Sequence, residues 1–169
     1  MNASGTGKRV VEAAVSAGRA LLHREGPPGA QRQTLTVARP VGNVLRACQD
    51  PQVLSTLLGD AGSVRETGPG RLEWDVAGWS GTTEVHAEPN RVVFTTAGED
   101  PVEPLVVEAW PAPRWDGCEV VLRLAVPAAP GLLDGALAFT MVYRLRALLQ
   151  TGEVPTLAAN PSGRAGVGL

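Results

Sequence analysis

Over residues 8–24, Val10, Val11, Ala14, Val15, Gly18, Leu21 and Leu22 recur at i, i+3, i+4 and i+7, with Lys8, Arg9, Glu12, Ser16 and Arg19 on the opposite side. That period predicts an amphipathic helix. Its apolar face calls for a cover, either the rest of this domain or a second copy of the chain. A membrane surface suits it poorly, because the face lacks aromatic and dense basic residues. The segment Gly26–Gln31, with Pro27, Pro28 and Gly29, breaks the helix and serves as a linker.

From Gln33 the period changes to two. Gln33–Ala38 reads as a strand, and Val41–Leu58 as two short helices split at Asp50 and Pro51, with Asp50 capping the second. Six strand-like runs follow: Ser63–Thr67, Arg71–Ala77, Thr82–Glu88, Arg91–Ala97, Leu105–Pro111 and Cys118–Val126. Hairpin-length separators rich in Gly, Pro and Asn make successive strands antiparallel neighbours. Within the runs Leu72, Trp74 and Val76 alternate with Arg71, Glu73 and Asp75. Val120, Leu122, Leu124 and Val126 alternate with Glu119 and Arg123 in the same way. The sheet is therefore expected to have one apolar face and one wet face. A helix over 131–150 closes the pattern, with Leu133, Leu137, Met141, Leu145 and Leu148 along one side and Gly152 as its stop. At roughly 1.5 Å per residue it is about 30 Å long, enough to cross the whole sheet as its cover. The expected class is α+β, a curved seven-stranded antiparallel sheet around a long C-terminal helix, with two short helices after the first strand.

The 169 residues suit one domain, and a composition 44% hydrophobic and 19% charged suits a globular chain with a real core. Scarcity narrows the chemistry. There are two His (His23, His86), two Cys (Cys48, Cys118), one Tyr (Tyr143), and one lysine, Lys8, against fourteen arginines. The His and Cys lie too far apart for a structural zinc site, and no cofactor motif appears. Two cysteines form no disulfide framework and read as buried thiols of a reducing, cytoplasmic compartment. A net charge of −2 with dispersed arginines gives no basic footprint for nucleic acid. The most apolar window, 124–142, is broken by Pro127, Pro130 and Asp134, so no integral membrane span is expected.

The order of elements resembles the START-like (SRPBCC) helix-grip fold, and the local sequence resembles its bacterial polyketide cyclase/dehydrase-type proteins. Four stretches carry the likeness: Leu35–Val44 (LTVARPVGNV), Gly70–Gly78 (GRLEWDVAG), Arg91–Phe94 (RVVF) and Leu148–Thr156 (LLQTGEVPT). The last is the most specific. The domains implied are an N-terminal helix and linker at 1–30, a helix-grip domain at 31–156 and a tail at 157–169. Between the last strand and the final helix this chain is shorter than such proteins by roughly three helical turns, in a region that commonly gates the cavity.

The resemblance implies an apolar hollow between sheet and helix for binding, sequestering or carrying a small hydrophobic, lipid-like or aromatic molecule. Its expected lining is Trp74, Val76, Val85, Phe94, Trp110, Leu137, Met141 and Leu145, each of which also reads as plain core. Trp79 and Trp115 lie in glycine-rich turns, where they cap a mouth or fold onto the surface. The alternative is an aromatase/cyclase or dehydratase, for which Tyr143 as acid and Arg144 as cation are the available residues. Tyr143 and Leu145 are two apart on a helix and face different ways, which weakens that alternative. A third reading is a partner-binding module with a collapsed cavity, pairing as a homodimer through the N-terminal helix. His86, between Glu84 and Glu88, reads as an exposed strand histidine.

Overall fold

The computed structural model describes residues 30–113, 116–126 and 131–155, with residues 131–134 by backbone alone. The helix expected over 8–24, its linker up to Gly29, Trp115, the shortened gate at 127–130, the side chains of Leu133 and Asp134, and the tail from residue 157 lie outside the described residues, whereas Gln31, expected to end the linker, already belongs to the first strand.

Strand β1 (Gln31–Val37) leads through α1 (Val41–Ala47), α2 (Pro51–Leu58) and a 3-10 turn (Gly59–Ala61) to β2 (Gly62–Gly68) at the opposite edge of the sheet. From there β3 (Arg71–Val76), β4 (Trp79–Glu88), β5 (Arg91–Thr96), β6 (Leu105–Pro111) and β7 (Cys118–Leu124) meander back until β7 pairs with β1. The result is one seven-stranded antiparallel sheet in the order β1-β7-β6-β5-β4-β3-β2, followed by α3 (Gly131–Thr151).

Local chemistry explains the joints. Asp50 Oδ1 accepts from the backbone N–H groups of Gln52 and Val53, and Pro51 occupies the first turn, so α2 starts where its free N–H groups find an acceptor. Ser55 Oγ accepts from Val64 N at 2.8 Å and so ties α2 to the outermost strand, β2. Gly152, at φ +78°, stops α3 as expected. The β3–β4 hairpin turns on Ala77 and Gly78, both at positive φ (+51° and +86°), so β4 starts at Trp79. Trp79 is therefore the first residue of a strand and not part of a turn.

The core lies between the sheet and all three helices. Val44 and Leu45 of α1, Leu54, Leu57 and Leu58 of α2, and Leu137, Ala138, Met141, Val142 and Leu145 of α3 pack with the inward residues of every strand. α3 lies over β1 and β7, while α2 covers β2 and meets α3. The cover expected of one helix is thus shared, because α3 runs along one end of the sheet and leaves the other end to α2.

The opposite face departs from expectation. It is wet across β2–β4, where Arg65 pairs with Glu73 at 2.8 Å and Arg71 with Glu84 at 3.0 Å, all four side chains being open to solvent. Across β5–β7 it is not. Val93, Val106 and Val121 are buried there, together with Glu108 and Arg123. The expectation of one uniformly polar face fails at these strands.

Candidate functional site

A single apolar face does not make a cavity; the side chains must leave space. Phe94, Met141 and Leu145 are fully buried, Leu137 nearly so, and Val85 packs at the margin of the same cluster. These five residues fill the interior as core. Trp74 meets Phe94 edge to face, with ring centroids 5.4 Å apart at 87°, a geometry favoured by the ring quadrupoles. Its indole N–H donates to Thr83 Oγ1 at 2.8 Å, so the one polar atom of a buried ring is satisfied by a hydroxyl that is itself buried.

Among the described residues a recess lies at one end of this core. It measures about 10 Å3, room for roughly one water molecule, and is lined by Leu58, Trp74, Val76, Trp79, Pro104, Leu105, Leu124 and Val126. Trp74 and Val76 were expected there. Trp79 joins them because the short hairpin reverses the chain at Ala77 and Gly78 and sets Trp79 opposite Val76. Its ring lies against Gly81, whose missing side chain leaves it room. Leu105 and Leu124 are cross-strand partners on the inner face. No motif marks them, since their inward positions look like any core residue.

Trp110 belongs elsewhere. It is paired with Glu119, and β6 turns it to the face away from the helices. The inward, buried residue at this point of β6 is its neighbour Ala109.

Neither candidate catalytic residue reaches the recess. Tyr143 is 49% exposed and stacks on Phe139, itself 59% exposed, with ring centroids 6.4 Å apart on the outer side of α3. Arg144 donates from Nη1 to the Leu57 carbonyl at 3.1 Å, and its guanidinium lies against Gly59, which at φ +57° has no Cβ to obstruct it. Arg144 thus clamps α3 to the end of α2. His86 is exposed on the wet face. Cys48 and Cys118 are free, buried thiols in the core; burial pushes Cys48 up to about 12 and Cys118 up to about 11, with each other's proximity adding to the rise at Cys48. Among the described residues no group of three His, Cys, Asp or Glu is placed to hold a metal ion, and no helix is long and apolar enough to cross a membrane.

No protein-family model and no curated protein matches the chain. Solved structures do. A structural-genomics protein of Deinococcus radiodurans superimposes with TM-score 0.58 at 20% identity, over 73% of this chain and 99% of that one. The Aha1 dimer protein of Colwellia psychrerythraea gives TM-score 0.56 at 11% identity, over 73% and 98%. DynU16, from the dynemicin biosynthetic locus, gives 0.50 at 21%, over 76% of this chain and 49% of its own. The fold is the helix grip. At these identities the likeness speaks for the fold alone, and the helix-grip architecture matches the order of elements read from the sequence.

Proposed function

We propose that this chain is a START-like binding protein that takes up a small, largely apolar molecule at the Trp74–Trp79 end of its interior. One observation carries this reading: a recess among the described core residues is lined only by apolar side chains, and its most exposed wall, Trp79, is a half-buried ring over a glycine. At about 10 Å3 the recess holds no ligand as it stands. Binding therefore requires Trp79 to swing outward, a side-chain motion at the end of a strand and next to a two-residue turn. The Trp74 N–H on this wall is already held by Thr83, so the ligand is selected chiefly by shape and apolar area.

The cyclase or dehydratase alternative loses support. Tyr143 and Arg144 are its only residues, and they lie outside the recess. The partner-binding alternative keeps a specific observation in its favour, the nearly filled interior. The two readings part in a titration with cis-parinaric acid, a fluorescent apolar chain, followed by native mass spectrometry. The binding reading expects saturable one-to-one uptake, strengthened by Trp79→Ala, abolished by Val76→Asp and unchanged by Trp110→Ala. Absence of saturable uptake in both the wild type and Trp79→Ala would favour the partner-binding module.

A further inference from the structure

The outer face of β5–β7 holds a buried patch that the three helices do not explain. Val93, Val106 and Val121 are 5%, 2% and 0% exposed, yet none belongs to the cluster packed under α1, α2 and α3. Val93 stands opposite Val106, Val106 opposite Arg123, and Val121 opposite Glu108 on one side and Thr34 on the other, which sets them all on one face. Glu108 and Arg123, 3% and 8% exposed, pair with each other inside the patch. The Nε atoms of Arg91 and Arg123 are buried there without a hydrogen-bond partner among the described residues. A sheet face turned to water would expose its valines and hydrate its guanidinium groups.

We propose that the N-terminal segment, residues 8–25, docks as a helix across this face of its own chain. Reach permits it. β5 is three strand spacings from β1, about 14 Å, and a helix over 8–24 is about 25 Å long. The five residues 26–30 extend to at most about 17 Å and end at Gln31, the first residue of β1. Surface chemistry favours it as well. At about 100° per residue the small residues Ala14 and Gly18 run along the middle of the apolar stripe, flanked by Val10 and Leu21 on one side and by Val11, Val15 and Leu22 on the other, so the helix axis can lie close to a sheet of valines. Glu25 follows Leu21 by four residues and Leu22 by three, which carries its carboxylate onto the same stripe at the end nearest β1. Arg123 lies beside β1, opposite Arg32. Glu25 is thereby the acceptor for the Arg123 guanidinium. The other long undescribed stretch, 156–169, has no helical apolar period with which to compete.

The test uses the full chain with a nitroxide on Ser16→Cys, on the polar side of the segment; Cys48 and Cys118, buried, remain unlabelled. Expected is broadening of the Val93, Val106 and Val121 amide signals when label and isotope share one chain, and none when they sit on separate chains mixed together. Adding Leu21→Asp abolishes the broadening and lowers Tm by about 5 °C, independently of protein concentration. Glu25→Gln lowers Tm by less, and Glu25→Asp restores part of the loss. No broadening at these valines, or broadening centred on Phe139 and Tyr143, would overturn the proposal. Equal broadening in the mixed sample would also overturn it, by making the occupant a second copy.

Discussion

The two halves of this sheet are built differently, although one meander of antiparallel strands makes both. In β3 apolar and polar residues alternate strictly, β2 and β4 bury few residues, and the polar face of the three strands carries exposed cross-strand pairs such as Arg65–Glu73 and Arg71–Glu84. In β5–β7 the apolar residues come in unbroken threes: Val92-Val93-Phe94, Leu105-Val106-Val107 and Val120-Val121-Leu122. Every one of those nine residues is buried. Alternation specifies one buried face, whereas a continuous run specifies two. The two-sided half lies inside the sheet and the one-sided half ends in an edge strand, β2, so the second is expected to open before the first. The recess lies where they meet, between Trp74 and Val76 of β3 and Leu105 of β6.

Charge gives the largest expected contrast. Glu108→Ala leaves Arg123 charged and buried on the two-sided half and should cost about 3–5 kcal/mol in urea denaturation. Glu73→Ala, which breaks an exposed pair on the one-sided half, should leave the urea midpoint where it is. Equal losses from the two changes would erase the distinction. Next comes Thr83→Val, which removes the acceptor of the buried Trp74 N–H and should cost about 1–3 kcal/mol; a neutral result would mean that the recess admits water to that atom. Ala77→Gly should raise stability by about 1 kcal/mol, because Ala77 holds a left-handed conformation that glycine adopts freely. The smallest effect at neutral pH belongs to the thiols. Raised above the ordinary 9.0, they bind protons more tightly in the folded chain. Their contribution is therefore fully present below about pH 9 and is lost as pH rises through about 11 to 12. At pH 8 the native thiols should react with a disulfide reagent only as fast as the chain opens.

Much of this was legible in the sequence, for reasons that differ by element. The helix breaks at Asp50-Pro51 and Gly152, the neighbour order of β2 to β7 and the inward positions of Trp74, Val76 and Phe94 follow from turn chemistry and period, while the pairing of β1 with β7 does not. The second buried face was equally written in the three apolar triplets. It was missed because Glu119 and Arg123 look solvent-facing when counted alone, and only the pairing of Arg123 with Glu108 across β6 makes that arginine suitable for burial. Trp110 departs from its expected place on the wall because the register of β6 turns its neighbour Ala109 inward. The recess could not be located from sequence, since its size depends on how Trp79, Pro104 and Val126 come together from three separate places along the chain.

Residue-resolved amide hydrogen exchange on the unliganded chain tests most directly whether the two halves differ as described. Backbone amides of β5, β6 and β7 should exchange only through global unfolding, while those of β2, β3 and the Trp79 end of β4 exchange through a smaller opening of lower free energy. Uniform protection across the sheet, or earlier exchange in β5–β7, would contradict this account.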